Sequence, residues 1–150
     1  MDEIDRRLLR DLQANGRITN QELAQRNSLS PAACHERVRR LREQGYIKGY
    51  AAILDPDKLD RSLLIFVEIH LDRTTSDIFD DFAAAIRRMP DVLECHMVAG
   101  GFDYLVKARV ADMEAYRRFL GDTLVRLPGV RETRTYAVLE EVKNTLAIPV

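Results

Sequence analysis

The sequence predicts an α+β protein: an N-terminal helix-turn-helix domain of the winged type, followed by a ferredoxin-like βαββαβ domain. Three observations lead there. Residues 1–50 carry three short helical patterns with written start and stop signals, and a tight turn precedes the third. From Leu63 onward the periodicity runs strand, helix, strand, strand, helix, strand. Charge divides along the same line: residues 1–50 hold 10 Lys/Arg against 7 Asp/Glu, whereas residues 51–150 hold 13 against 17. A basic module joined to an acidic one is what a net of +3 beside a net of −4 suggests.

The third helix organises the first region. Ser30 supplies an N-cap oxygen, Pro31 suits a position whose amide needs no acceptor, and Gly45 can take the left-handed turn that stops a helix. At 100° per residue, Cys34, Val38 and Leu41 form a narrow apolar stripe, and Ala32, Glu36, Arg39 and Glu43 point the other way. Arg40 and His35 flank that outward face, whose small first-turn residues would let the backbone approach a groove. Ahead of it, Asp2 to Asn15 places Ile4, Leu8, Leu9 and Leu12 at helical spacing, with acids in the first turn and Gly16 as a stop. Thr19 and Glu22 have capping-box spacing, so a second helix is expected from Asn20 to Arg26, with Asn27 and Ser28 turning and Leu29 pointing inward. Three such helices match the plan in which the last enters the major groove of DNA and the others brace it. Arg37, Arg39, Arg40 and Arg42 supply the clustered cations that phosphate neutralisation needs.

Residues 51–61 read as linker. Ile47 to Leu54 is expected to be a short strand or a flexible tether, broken at Gly49 and turned at Asp55, Pro56 and Asp57. Residues 62–150 form the second domain. Leu63 to Leu71 alternates, with Ile65, Val67, Ile69 and Leu71 on one face and Phe66, Glu68 and His70 on the other. Helices are expected over Ser76–Met89 and Asp112–Arg126, and strands over Val92–Ala99, Phe102–Val110 and Arg131–Val142. Gly100 and Gly101 read as a two-residue hairpin turn with positive φ. Both helices would cover one sheet face, leaving Phe66 and other aromatic and apolar side chains on the second, so self-association is expected.

Several chemistries lack their signals. Cys34 with His35 and Cys95 with His96 are sequence neighbours pointing different ways, with no second pair at ligand spacing, so no metal site is expected. No nucleophile elbow or phosphate-cradling loop appears, and Glu140 and Glu141 fall on opposite faces of the last expected strand. Neither catalytic residues nor a cofactor are assigned, and the chain is read as a non-enzyme. With no apolar run near the roughly 18 residues a bilayer requires and an acidic helical start, a cytoplasmic protein without membrane contact is expected.

The run Asp5, Leu8, Leu9, Leu12, Gln13, Asn15, Gly16, Arg17, then Glu22, Leu23, Ala24, Leu29, Ser30, Arg37, Val38, Arg40, Leu41, Gly45, Ile47, Gly49 and Tyr50 resembles the Lrp/AsnC family of feast/famine transcription regulators. The resemblance extends to nearly the whole chain. It implies that the third helix reads operator DNA; residue chemistry nominates Ala32, Ala33, His35, Glu36 and Arg39 for the groove and Arg37, Arg40 and Arg42 for phosphates, with Ser30 at the helix start. It further implies a regulation-of-amino-acid-metabolism (RAM) domain whose sheets pack face to face in a homodimer, four dimers forming an octamer. A small effector, an amino acid, would bind between subunits beside the hairpin loop Val98, Ala99, Gly100, Gly101, Phe102, Asp103, Tyr104. There the paired glycines could meet a carboxylate and Asp103 an ammonium group, with hydroxyls of Thr133 and Thr135 from a facing subunit. Ala99 and Gly101 depart from the family pattern, standing where many relatives carry a hydroxyl residue and an acid. Two alternatives stay open at this point: a ligand-sensing oligomeric module, and an architectural DNA-binding protein that answers no ligand.

Overall fold

The structure, a computed structural model, describes residues 1–72 and 77–150. They form two compact units, residues 1–53 with 143–150, and residues 54–142. The first unit holds α1 (Glu3–Ala14), α2 (Asn20–Arg26) and α3 (Pro31–Glu43). Each helix begins where a side chain satisfies its leading amides. Asp2 and Asp5 form a reciprocal capping box on α1, Thr19 and Glu22 form one on α2, and Ser30 Oγ accepts from the Ala33 N–H at 3.2 Å. At the other end of α3, Gly45 has φ 77°, its N–H donates to Arg42 and the Tyr46 N–H to Leu41, a Schellman ending. Leu8, Leu23, Ala24 and Cys34 close a small core, with Ile4, Leu12, Ile18, Leu29 and Val38 around it.

Residues 143–150 pack with this first unit. The Gln13 carboxamide grips the backbone of Ile148 from both sides, donating to its carbonyl at 2.9 Å and accepting from its N–H at 2.6 Å, and Arg10 donates to the Val150 carbonyl at 3.1 Å. Residues 47–54, expected as a strand or a tether, run without a ladder to any described residue.

The second unit carries β1 (Leu63–Leu71), α4 (Ile78–Ile86), β2 (Val92–Met97), β3 (Tyr104–Val110), α5 (Met113–Arg118) and β4 (Val130–Ala137). The order in the antiparallel sheet is β2-β3-β1-β4, the ferredoxin-like arrangement. Alternation does the sorting: Ile65, Val67, Ile69 and Leu71 of β1 and Val106, Ala108 and Val110 of β3 face Phe82 and Ile86 of α4 and Tyr116 of α5.

Several local expectations need correction. The β2–β3 connection is a longer loop, residues 98–103, and neither Gly100 nor Gly101 has positive φ. The helix expected over Asp112–Arg126 stays α-helical only to Arg118, then widens into a π turn (Phe119–Thr123) and a 3₁₀ turn (Leu124–Arg126). Phe119 at the start of the π turn and Leu124 just after it are both buried. The last strand stops at Ala137, so Glu140 and Glu141 lie beyond it, with Glu141 paired to Arg109. The start expected at Ser76 lies outside the described residues, and α4 ends at Ile86 rather than Met89. The sheet face away from the helices mixes apolar and charged groups: half-buried Phe66 and Leu105 sit among Glu68, Lys107 and Arg134, and the Tyr136 hydroxyl donates to Glu68 at 3.1 Å. It is thus less apolar than the sequence suggested. No described helix is long and apolar enough to cross a membrane.

Candidate nucleic-acid interface and ligand pocket

On α3, Cys34 and Leu41 are fully buried, and the opposite side is open. Ser30, Ala32, Ala33, His35 and Glu36 are exposed, as are Arg39, Arg40 and Arg42. The arginines nevertheless differ in what holds them. Arg37 donates to Asp2 at 2.7 Å and to Asp5 at 2.8 Å, and Arg40 approaches Asp5 at 3.2 Å. Asp5 is 2 % exposed, so these contacts tie α3 to the start of α1. Burial raises the Asp5 carboxyl, but the Asp2 N–H and the Arg37 guanidinium outweigh it and leave the group below its ordinary value. At Asp2 the Asp5 N–H and then Arg37 hold the carboxyl down at about 2. Arg37, nominated from sequence for phosphate contact, is therefore an internal brace with its cation already engaged. Arg39 bonds Glu36 at 2.6 Å and also Glu43, all three side chains about half exposed or more, which keeps Glu36 ionised. Arg42 makes no ion pair with another described residue.

Behind α3, the Asn27 amide, buried in the turn, donates to Asp11 at 2.8 Å and to the Leu23 carbonyl at 3.0 Å, and Ser28 takes φ 54°. These bonds fix the angle at which α2 hands the chain to α3. Asn20 adds a bond from α2 to the Pro31 carbonyl at 2.8 Å.

In the second unit a cavity of about 470 Å³ opens at the end of β1, lined by His70, Leu71, Asp72, Gly100, Gly101, Phe102, Asp103 and Arg131. Four of the eight residues nominated for an effector reach it: Gly100, Gly101, Phe102 and Asp103. Ala99 shares their loop but is not part of the lining. Tyr104 is a core residue, its ring 4.6 Å from that of Phe82. Thr133 pairs across the sheet with Ile69, and the Thr135 hydroxyl accepts from Tyr116, which gives that hydroxyl a packing role within the chain. Asp103 is buried and its Oδ2 accepts from the Leu71 N–H at 2.8 Å, while its backbone N–H donates to Ile69 at 2.9 Å. It thus ties the loop to β1.

Sequence reasoning missed His70, Leu71, Asp72 and Arg131. His70 and Leu71 were legible as the end of a strand, but nothing local said that this end meets the 98–103 loop. The thiols are placed as apolar groups: Cys34 is sealed in the helical core, and burial pushes Cys95 up to about 11.

The chain was compared with known proteins. Residues 1–48 match the family described as winged helix-turn-helix DNA-binding, and residues 64–148 match the Lrp/AsnC ligand binding domain. Leucine-responsive regulatory proteins of Salmonella typhimurium and Escherichia coli are 57% identical over 145 residues, covering 97% of this chain and 88% of theirs. Among solved structures, a transcriptional regulator from Neisseria meningitidis in complex with L-Met superposes with TM-score 0.95 at 39% identity, covering 99% of this chain and 96% of that one. An AsnC-family regulator from Agrobacterium tumefaciens gives TM-score 0.94 at 29% identity, covering 99% and 97%. With a DNA-binding helix-turn-helix ahead of a ligand-binding βαββαβ domain, the chain belongs to the Lrp/AsnC family of transcriptional regulators.

Proposed function

We propose that the protein reads operator DNA as a symmetric homodimer that assembles further to an octamer, and that a free amino acid bound at the β1-end cavity shifts which assembly or head spacing is favoured. The observation that carries the DNA half is the front of α3. Ala32, Ala33, His35, Glu36, Arg39 and Arg42 all stay exposed while Cys34 and Leu41 seal its back. Two such helices related by a two-fold axis enter successive major grooves about 34 to 36 Å apart. Glu36 accepts from a cytosine amine and repels phosphate, which favours base contact over backbone contact. Arg42 and Arg40 serve phosphates. Dimerisation through the open sheet face follows from half-buried Phe66 and Leu105 lying there uncovered by either helix.

The effector half is supported by the cavity and by the Neisseria meningitidis relative, solved with L-Met. An effector acts only through differential affinity for two states, so binding and assembly are linked in both directions. The working protein is placed in the cytoplasm, where its duplex and its amino acid meet. The test is a mobility-shift titration on the protein's own upstream region, run with and without each of the twenty amino acids and paired with sedimentation. Retarded complexes whose stoichiometry or affinity changes with one amino acid are expected. A protein that is monomeric and ignores duplex DNA in dilute salt would overturn the proposal.

A further inference from the structure

The segment that returns from the second unit to the first is held by a clasp at each end. In the second unit, Arg109 of β3 has a side chain only 11% exposed, and its guanidinium pairs with Glu141 while also reaching the Arg61 carbonyl at 3.5 Å. One cation thus pins the chain on both of its passages, at Arg61 after the first and at Glu141 before the second. In the first unit, the Gln13 carboxamide of α1 donates to the Ile148 carbonyl at 2.9 Å and accepts from the Ile148 N–H at 2.6 Å. Residues 142–147 between the clasps form neither helix nor strand. Val142, Leu146 and Ile148 are 87%, 80% and 70% exposed, so the hold comes from the polar clasps rather than from apolar burial.

Resting on the DNA reading proposed above, we infer that residues 142–147 are a second tether on the helix-turn-helix unit, and that Gln13 and Arg109, by fixing its ends, are positioning residues for half-site spacing. With the linker alone, that unit would swing about residues 51–55, which carry no regular structure. A body held at one point rotates about it; a second attachment removes that freedom. The stretch from Glu141 to Ile148 reaches at most about 25 Å when fully extended, so the tether also caps the travel of α3. Restraining both heads of a dimer in this way raises their effective concentration on half-sites that fall where the heads are held, and lowers it for every other spacing.

The probes are duplexes bearing two inverted copies of the half-site that wild type selects from random sequence, with centres about 10 base pairs apart or with about 2 or about 5 base pairs inserted, and a duplex bearing one copy. Fluorescence anisotropy compares the whole chain as wild type, Gln13→Ala, Glu141→Ala and Ile148→Pro, the last lacking the N–H that the carboxamide accepts. To these are added the Gln13→Ala, Ile148→Pro double variant and a chain with about six Gly/Ser residues inserted after Lys143, which lengthens the tether and leaves both clasps intact. Wild type is expected to favour its best-spaced duplex over the others by about ten-fold or more. Each variant should lose about three-fold or more of that preference, and the double variant no more than either single one, because both remove one contact. Affinity for the single half-site should not change. Gln13 is exposed, so its replacement should leave the melting temperature where it is, and sedimentation should show the wild-type assembly. Undiminished spacing preference in the lengthened chain, or a loss confined to variants whose assembly also changes, overturns the tether and leaves the DNA reading standing. A wild type that binds but is indifferent to spacing does the same. A wild type that selects no half-site from random sequence overturns the DNA reading itself, and the tether with it.

Discussion

The Arg37 guanidinium meets the Asp5 carboxylate at 2.8 Å, and that carboxylate is only 2 % exposed. An arginine of α3 is thus spent on holding that helix against the first turn of α1. Removing one member of a desolvated pair strands the other. Arg37→Ala is therefore expected to lower stability by about 2 kcal/mol, on the scale of a lost hydrogen bond to a charged group. The readout is the urea midpoint at constant m-value. Arg42→Ala, without such a partner, should leave the midpoint where it is, and equal midpoints in the two variants would remove the brace.

Acid should act on the same corner of the molecule. Asp2 sits at about 2 and Asp5 below its ordinary 3.8, both lower than in an unfolded chain. Depressed carboxyls contribute fully above the unfolded value and lose that contribution as pH falls through the folded one. Stability should therefore drop as pH goes from about 4 toward about 2, and Asp5→Asn should flatten that limb in urea midpoints collected across the range.

Arg39 has only exposed partners, Glu36 and Glu43, and pairs of that kind contribute about 0–1 kcal/mol. A duplex can displace them. Arg39→Ala should weaken operator binding more than random-sequence binding. Arg42→Ala should weaken both alike and reduce the salt slope by about 1. Glu43→Gln, which leaves Arg39 only its Glu36 partner, should tighten binding to random duplex. Fluorescence anisotropy over a salt series measures all three.

How much of this was legible depends on how far apart the cooperating residues lie. The starts of α2 and α3 were readable to the residue, because Thr19 with Glu22 and Ser30 with Pro31 act over three positions or fewer. The β1 alternation gave the inward face correctly for the same reason. Arg37 looked like a phosphate ligand because its partners, Asp2 and Asp5, are more than thirty residues away. Arg131 was invisible as a site residue because a bulge is a property of two strands in register, not of one strand's composition. Gly100 and Gly101 suggested positive φ, yet among the described residues of this unit it is Asp60 and Gly129 that take it. A threonine on a strand carries no mark of its partner, and the bond from Tyr116 to Thr135 appears only once helix and sheet are packed.

Gly129 and Gly45 should respond differently to alanine. Both have positive φ, 71° and 77°, which costs about 1–2 kcal/mol for an L side chain. At Gly45 an added Cβ meets nothing within 4 Å, whereas at Gly129 it would lie 2.2 Å from Cγ1 of Ile78. Gly129→Ala is expected to cost more, and because the Gly129 carbonyl holds the Asp72 N–H it should also weaken ligand response. Melting curves with and without L-methionine separate the two effects.

Replacing Thr135 by valine keeps the shape and removes the partner of the Tyr116 hydroxyl. A loss of about 1 kcal/mol in stability is expected, with no change in amino-acid affinity. Calorimetry showing the reverse, stable protein with impaired binding, would return Thr135 to the ligand site.

The backbone passes between the two units twice, once near Ile53 and again near Val142, and Gln13 secures the returning segment at Ile148. A fluorophore attached at Val150 would consequently ride on the DNA-binding unit rather than on the domain that precedes it in sequence. Energy transfer between two such labels in an assembled pair would track the separation of the two helix-turn-helix units in real time, with no probe on α3.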